Sequence, residues 1–488
     1  MDIARYRSQW THAPVREILA GMVGTFALIP EVIAFSYVAG VPPAVSLFAS
    51  FVISIVVAIF GGRPGMISGA AGSVALVVAP LVHSHGIQYM LLATLLAGLL
   101  QIIFGLLRLQ IAMRFVSDDV KTGFVNALAI LIFSAQVPQM LGVTWHTYAL
   151  IAIGLAIIYL VPRITQAIPS PLICIVVLTL ITAFHPMPVR VVADLGELPD
   201  GLPSLVLPDI PLTLHTLLVV APYSLAMAAV GILESLMTAG VVQDTTDSRT
   251  NERMECTGQG IGNIAVGLFG GIAGCGMVGQ TVGNLRYGGR GRLSTFTAGA
   301  FLLVLMVVLH RYVAMVPMAA LVAIMIMVSI STFSWESLKN LVVIPRLSSL
   351  VMIVTVIVTV LTKDLAAGVA VGVLLSGVIF AWQAMKRVHV DYRREGDTDI
   401  YSVRGQLFFA TSDILREAID MHTNATHIII DMTQTEVHDM TMVASLNDIV
   451  ERLSRHGAEV RVKGLSAAHH GMVDRHAEHP ALMLERRD

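Results

Sequence analysis

Long hydrophobic segments, separated by short polar or glycine-rich stretches, dominate the first four fifths of the chain. Runs such as "LLATLLAGLLQIIFGLL" and "AGAFLLVLMVVL" recur between residues 18 and 382. A helix of about 18–25 apolar residues is long enough to cross the hydrocarbon core of a bilayer. The pattern predicts a polytopic helical membrane protein with fourteen apolar segments, two of them too short to span alone, at 18–38, 44–60, 74–84, 89–107, 120–138, 147–162, 171–185, 214–240, 257–272, 278–286, 295–310, 317–332, 347–362 and 365–385.

The hydrophobic pattern ends near Trp382, and an alternating pattern typical of a soluble α/β domain follows. In this tail, "YSVRGQLFFAT" predicts a pair of strands and "HIIIDM" a buried strand, whereas "SDILREAIDMH" and "MVASLNDIVERLSRHG" predict helices. The predicted domains are a cytoplasmic flank at 1–16, a transmembrane transport domain at 17–387 with repeats at about 17–186 and about 212–387, a linker at 388–396 and a cytosolic α/β domain at 397–488.

Composition supports the membrane assignment and narrows the function. The chain is 55% hydrophobic and only 13% charged, whereas soluble proteins carry about a quarter charged residues. The three cysteines show no spacing that suggests a disulfide or a metal site. Phosphate-binding loops and hydrolase motifs are missing from the sequence. We therefore predict that the protein is not an enzyme and that it has no cofactor and no nucleic-acid partner.

The basic residues alternate between the two sides of the predicted topology. If the N-terminus is inside, the inner loops carry most of the Arg and Lys residues, whereas the outer loops carry only Arg190, Arg311 and Lys363. This distribution follows the positive-inside rule. It predicts an even number of crossings of the cell inner membrane, with both termini in the cytoplasm.

Two glycine-rich breaks lie at matching places in the two halves of the membrane domain. "GGRPGMISGAAGS" precedes the short third segment, and "GGIAGCGMVGQTVGN" contains the start of the short tenth segment. Non-helical backbone at membrane depth is tolerated only inside protein or beside a watery cavity, and interrupted segments in inverted halves indicate the binding site of a transporter. The alternative is that the glycines only permit close helix packing.

The start of a helix presents free N–H groups and a partial positive charge, which suits an anion. We therefore predict an anion site between two half-helix starts. The first start comprises Gly72, Ser73 and Val74, and the second comprises Val278, Gly279, Gln280 and Thr281.

Two acidic residues lie within apolar helices, where an unpaired carboxylate is costly. Glu31 follows a proline in the first segment, and Glu234 lies in the eighth with Thr238 one turn further on. We expect Glu31 to bind a coupling proton. Glu234 is predicted to hold a proton or, with Thr238, a Na⁺ ion. A structural hydrogen bond to a broken helix end is the alternative for each carboxylate.

The motifs "PEVIAFSYVAGVPP", "FGGRPGMISGAAGSVALVV" and "GILESLMTAGVVQDTTDSRTNERMECTGQGIGNIAVGLFGGIAGCGMVGQTVGN" closely resemble those of the SulP family, the bacterial relatives of solute carrier family 26. The tail "THIIIDMTQTEVHDMTMVASLNDIVERLSRHGAEVRVKG" resembles the STAS domain of that family. The resemblance implies a seven-plus-seven inverted repeat, a mobile core formed by segments 1–4 and 8–11, a gate formed by segments 5–7 and 12–14, elevator-like movement and a homodimer.

By position, the family's anion pocket maps to Ser73 and its neighbours and to Gly279 with Gln280, with Phe35 and Glu234 nearby. Animal relatives that handle chloride have an arginine at the position of Gln280, so the resemblance favours a carboxylate or bicarbonate carried with H⁺ or Na⁺. In the tail, Thr441 keeps a hydroxyl where related domains are phosphorylated, but Met442 replaces the usual glycine. We expect Thr441 to have a structural role at the start of a helix.

We therefore predict a secondary active transporter of small anions, such as fumarate-like dicarboxylates, bicarbonate or sulfate, coupled to H⁺ or Na⁺. Alternatives are a nucleobase permease of the same architecture and an anion exchanger or channel. The absence of an acid at the start of segment ten disfavours the nucleobase permease. A membrane-anchored signalling module is a third class, and it would leave the paired breaks unexplained.

Overall fold

The computed structural model describes residues 3–108, 115–164, 170–195, 204–343 and 346–464. The chain forms two compact units, Met1–Val373 and Leu374–Asp488. The first unit is helical apart from one short pair of strands, and the second contains a four-stranded sheet.

Each of the fourteen predicted apolar segments coincides with one helix. The first eight helices are α1 (Ile3–Thr11), α2 (Pro14–Ala39), α3 (Pro43–Phe60), α4 (Gly72–His85), α5 (Ile87–Leu106), α6 (Asp118–Met140), α7 (Trp145–Leu160) and α8 (Ser170–Phe184). The next eight are α9 (Leu214–Thr246), α10 (Glu252–Leu268), α11 (Val278–Arg286), α12 (Arg292–Ala314), α13 (Met318–Thr332), α14 (Trp335–Val343), α15 (Arg346–Thr362) and α16 (Leu365–Met385). Only α1 and α14 have no predicted counterpart.

The helices of the predicted segments differ in whether they are long enough to cross a membrane. Among the described residues, six helices are long and apolar enough to cross a membrane, namely Pro43–Phe60, Ile87–Leu106, Asp118–Met140, Trp145–Arg163, Leu214–Thr246 and Leu365–Met385. The third segment, α4, has 14 residues, and the tenth, α11, has 9. Both predicted segments are indeed short, although α8 and α13, with 15 residues each, are nearly as short as α4.

The membrane helices pack in two groups. Helices α2–α5 and α9–α12, here called the core helices, pack mainly on one another: α10 contacts α3 and α5, and α12 contacts α2 and α3. Helices α6–α8, α13, α15 and α16 are called the gate helices, and within them α6 contacts α13 and α15. Gly372 of α16 lies where a Cβ atom would meet Val120 of α6 at 3.2 Å, so the glycine allows close packing. The division that the resemblance implies places segments 1–4 and 8–11 in one group and segments 5–7 and 12–14 in the other. The packing matches this division.

Four buried charged side chains satisfy helix ends in the first unit. Glu17 accepts the backbone N–H groups at the start of α12, and Arg292 donates to the carbonyl oxygens of Ala58 and Ile59 at the end of α3. Glu255 accepts two backbone N–H groups just after α3, and Arg63 donates to the carbonyl oxygen of Ser248 just after α9. The sequence indicated only the side of the membrane for Arg292, yet it is 3% exposed and Arg63 is 5% exposed.

The second unit contains β3 (His389–Glu395), β4 (Thr398–Leu407), β5 (His427–Val437) and β6 (Glu459–Lys463), in the order β3-β4-β5-β6. β3 pairs antiparallel with β4, while β4, β5 and β6 run parallel. Helices α17 (Ser412–Ala418) and α18 (Met440–Arg455) connect the parallel strands. Alternate side chains of β5, such as Ile428 and Ile430, are fully buried against Leu446 and Ile449 of α18.

Two predictions for the tail need correction. The segment predicted as a linker, 388–396, contains strand β3, which pairs along its whole length with β4. "YSVRGQLFFAT" is therefore not a pair of strands; its first part belongs to β4, and the partner strand lies before it. The expected buried strand and both helices are present, although α17 is shorter than predicted. The domain end predicted at 488 lies outside the described residues.

Candidate functional site

The two glycine-rich breaks meet as a two-stranded antiparallel pair inside the first unit. β1 (Ser68–Ala70) pairs with β2 (Gly274–Gly276), with Gly69 opposite Cys275. β1 leads into α4 and β2 leads into α11. Because the strands run in opposite directions, the two helices start at opposite ends of the pair.

Small residues are required in this strand pair because the backbones approach closely. A Cβ atom at Gly274 would overlap the carbonyl oxygen of Gly69, and one at Gly276 would lie 3.2 Å from Cα of Ser235 in α9. Glycine avoids both clashes since it has no Cβ. The glycines therefore do allow close packing, both of the two strands against each other and of β2 against α9.

Polar side chains of neighbouring core helices satisfy the backbone of both strands. Asn263 accepts the Gly274 N–H at 2.8 Å and donates to the Gly274 carbonyl oxygen at 3.0 Å. Ser50 accepts the Ala70 N–H at 2.9 Å. Gln259 is fully buried and donates to the Ser68 hydroxyl at 2.8 Å. Buried backbone groups need such partners, so these side chains fix the position of the break.

The first half-helix begins at Gly72, as predicted, and its N-cap residue provides no side-chain cap. Gly72 packs against Phe35 of α2, since a Cβ atom at Gly72 would lie 2.7 Å from Cε1 of that ring. The Ser73 hydroxyl donates a hydrogen bond to Glu234 of α9. Val74 is fully buried, so its side chain does not line an open space.

The second half-helix begins at Val278, also as predicted, and its N-cap residue again provides no side-chain cap. Val278 is 40% exposed, and Gly279 is exposed as well. A Cβ atom at Gly279 would have Glu31 Oε1, at 3.9 Å, as its only neighbour within 4 Å. The start of α11 therefore borders open space, whereas the start of α4 is covered by Phe35.

Each of the two carboxylates contacts the half-helix that belongs to the other half of the membrane domain. Glu31 of α2 is hydrogen-bonded to the Gln280 side chain at the start of α11, and Glu234 of α9 accepts from Ser73 at the start of α4. Cys275 of β2 also donates to Glu234, at 3.2 Å. Glu31 and Glu234 are close enough to interact electrostatically. The acid at the start of α11 therefore comes from the first half of the membrane domain, and the acid at the start of α4 comes from the second.

Two predicted site residues use their hydroxyl groups to hold the breaks together. Thr238 donates to the Gly276 carbonyl oxygen at 2.9 Å and to the Glu234 carbonyl oxygen at 2.8 Å, which ties β2 to α9. Thr281 accepts the Ile67 N–H at 3.0 Å. Both threonines are fully buried. Their side chains therefore stabilise the backbone of the site instead of lining the open space.

The sequence did not reveal the strand pairing or the thiol of Cys275. Three-residue strands are too short to show an alternating pattern, and a single cysteine between two glycines looks like an ordinary small apolar residue. The matching runs of small residues, Ser68–Ala70 and Gly274–Gly276, were the available signal.

Two uncapped half-helices that start at paired breaks in the two halves are typical of secondary transporters, which bind their substrate at such breaks. Comparison with known proteins agrees with this class. A model of the sulfate permease family matches residues 15–150 and 143–355, and a model of the STAS domain matches residues 389–478. The chain belongs to the sulfate permease family and carries a C-terminal STAS domain.

Individual relatives extend this finding over nearly the whole chain. The chain is similar to the candidate sulfate transporter YbaR of Bacillus subtilis, with 47% identity over 95% of this chain and 97% of YbaR. Its fold resembles the transmembrane domain of a cyanobacterial bicarbonate transporter, BicA, with 27% identity, a TM-score of 0.66 and coverage of 73% of this chain and 98% of that one. It also resembles the murine Slc26a9 anion transporter in the inward-facing state, with 17% identity, a TM-score of 0.83 and coverage of 94% and 87%.

Proposed function

We propose that the chain is a secondary active transporter that moves a small oxyanion or carboxylate across the cell inner membrane together with H⁺ or Na⁺. The observation that carries the proposal is the crossed arrangement of two carboxylates at two helix N-termini. Each N-terminus attracts an anion through a partial charge of about half a unit. Each carboxylate repels that anion unless a cation neutralises it.

The balance of these two effects implies coupling. A Cβ atom at Gly279 would lie 3.9 Å from Glu31 Oε1, so an anion at this helix start is close to the carboxylate. Two unit charges about 4 Å apart interact by about 4 kcal/mol at an effective dielectric constant of 20, which offsets most of the roughly 3–6 kcal/mol that two hydrogen bonds from backbone N–H groups to an anion contribute. Anion binding is therefore much stronger when a cation binds with it. H⁺ on Glu31 or Glu234, or Na⁺ at Glu234, provides that cation.

The relatives guide the choice of substrate. Sulfate is tested first because of the name that YbaR carries, and bicarbonate second because of BicA. Fumarate represents the dicarboxylates. The site residues described above include no arginine or lysine, so in this proposal backbone N–H groups bind the anion. The Ser73 hydroxyl and the Gln280 side chain contact the two carboxylates beside it.

The experiment measures uptake of radiolabelled sulfate, bicarbonate and fumarate into proteoliposomes under an imposed pH or Na⁺ gradient. We expect one gradient to accelerate the uptake of one anion. Glu31→Gln or Glu234→Gln abolishes that acceleration, whereas Glu336→Gln, which removes an exposed carboxylate outside the site, leaves it unchanged. Uptake that ignores both gradients in the unmodified protein contradicts the coupling.

The mechanism we propose is an elevator movement of the core helices against the gate helices within a homodimer whose termini are cytoplasmic. The preferential packing inside each group supports this division. An engineered disulfide between α2 and α13, which contact each other across the two groups, then stops uptake until it is reduced. Uptake that continues with the disulfide fully formed contradicts the movement.

A further inference from the structure

A cavity of about 470 Å³ lies where α3 and α9 end and where α10 and α12 begin. Its remaining wall comes from α1, through Tyr6 and Gln9. None of the gate helices contributes to the lining, and neither does any of the predicted anion-site residues. The cavity is therefore separate from the half-helix starts, and the distribution of basic residues assigns its loops to the cytoplasmic side.

The lining of this cavity is strongly basic. It includes Arg63, Arg249, Arg290 and Arg292, and within the described part of the chain it includes no aspartate or glutamate. Two buried acids lie behind this wall: Glu255 accepts the Gly62 and Arg63 N–H groups at 2.8 and 2.9 Å, and Glu17 accepts the Arg290 N–H at 2.7 Å. Two buried carboxylates do not balance four guanidinium groups, so the lining carries a net positive charge.

The four arginines divide into two pairs with different roles. Arg63 and Arg292 are buried and donate to carbonyl oxygens at helix ends, which positions them rigidly. Arg63 nevertheless keeps its Nε atom buried with no hydrogen-bond partner. Arg249 and Arg290 are exposed at the mouth. The buried pair therefore holds positive charge at fixed positions in the wall, and the exposed pair supplies donors that a ligand can reach.

The volume of the cavity and the uncharged residues of its lining indicate an organic ligand. A volume of about 470 Å³ falls within the roughly 300–1,000 Å³ of small-molecule sites. Tyr6 contributes an aromatic ring that also stacks under the guanidinium of Arg292, 4.8 Å from its centroid. Gln9 and Asn251 add amide groups. Arginine forks match the geometry of phosphate oxygens better than lysine does.

We propose that this cavity is a second, cytoplasmic anion site that binds a phosphate-bearing organic anion and is distinct from the transport site. The phosphate contacts Arg63, Arg249 and Arg290, and the organic part lies against Tyr6. The ligand is either a soluble phosphomonoester or the headgroup of an anionic lipid, which share this chemistry.

The test uses the full chain in nanodiscs. In neutral phosphatidylcholine discs, binding of adenosine monophosphate and of inorganic phosphate is measured by calorimetry, which detects a soluble ligand. In a second arm, thermal stability is compared between phosphatidylcholine and phosphatidylglycerol discs, which detects a lipid ligand. The variant Arg249→Gln with Arg290→Gln removes charge at the mouth while keeping the two arginines that hold helix ends. Arg253→Gln with Arg286→Gln removes the same charge from exposed positions outside the lining.

We expect saturable binding in one arm that weakens by about tenfold or more in the mouth variant and by much less in the control variant. Gly279→Leu, which alters the transport site, leaves this binding unchanged. Binding of adenosine monophosphate assigns a soluble ligand, and stabilisation by phosphatidylglycerol assigns a lipid. The absence of both effects, or equal weakening in the two double variants, overturns the proposal.

Discussion

Gly279 is the position where the proposed transport site is tested with least risk to the fold. The nearest atom to a Cβ at this position is Glu31 Oε1 at 3.9 Å, which is an ordinary van der Waals distance. Gly279→Ala is therefore accommodated without movement. Gly279→Leu extends further carbons into the open space beside the start of α11 while leaving the buried side of the helix intact.

The expected effect follows from the contacts that leucine prevents. An anion at the start of α11 accepts backbone N–H groups, and a hydrogen bond to a charged group contributes about 1.5–3 kcal/mol. The loss of two such bonds weakens binding by about 3–6 kcal/mol, which is more than about a hundredfold. Alanine keeps these N–H groups accessible, so we expect its affinity to stay within about threefold of that of the unmodified protein.

The assay combines anion binding with thermal unfolding on the same purified samples. We expect Gly279→Leu to lose anion binding at an unchanged unfolding temperature and Gly279→Ala to retain both. Full binding by the leucine variant would show that the anion does not approach the start of α11. An equal loss of stability in both variants would show that the open space is not available to a side chain.

Three further substitutions test the packing around the site and in the tail. Gly72→Ala places a Cβ atom 2.7 Å from the Phe35 ring, and we expect thermal unfolding to report a loss of about 1–3 kcal/mol that Phe35→Leu in the same chain partly restores. Glu255→Ala leaves two buried backbone N–H groups without an acceptor; the expected loss is about 3 kcal/mol, and Glu255→Gln, which keeps an oxygen, loses less. Asp439→Ala removes the side chain that accepts the Met442 N–H at the start of α18, and hydrogen exchange in that helix should report a loss of about 1 kcal/mol.

The helical part of the fold could be predicted because its physical cause is visible in the sequence. Each membrane-embedded helix must satisfy its own backbone hydrogen bonds, so it appears as a continuous apolar run. Prolines and glycines mark several ends: Pro43 begins α3, and Gly40, with a φ of 72°, ends α2. The starts of α4 and α11 were found for the same reason, since glycine-rich stretches interrupt the runs there.

Contacts between distant parts of the chain could not be predicted in the same way. The strand pair joins residues more than 200 positions apart, so no local pattern around Ser68 points to Gly276. The roles of Thr238 and Thr281 depend on this pairing, because their hydroxyl partners are backbone groups of the breaks. A sequence shows that a threonine has a hydroxyl but not which carbonyl group it will meet.

The tail shows a different limit. The sequence of β3 predicts a linker because β3 is an edge strand, with six of its seven residues exposed and the other half-buried. Exposed edge strands carry charged residues that reduce their apolar pattern, as "HVDYRRE" does here. Thr441 likewise was expected to have a structural role at the start of a helix. It is exposed, and Asp439 provides the side-chain cap of α18 instead.

The crossed contacts connect the two halves of the proposed site energetically. Glu31 belongs to the first half and contacts the second half-helix, whereas Glu234 belongs to the second half and contacts the first. A cation that binds to either carboxylate therefore changes a hydrogen bond at the opposite half-helix start. Cys275 adds a direct link, since it donates to Glu234 and lies opposite Gly69 in the strand pair. In the proposed site, a cation on one carboxylate thus changes the contacts of the half-helix start in the other half, which links the binding of the coupling ion to that of the anion.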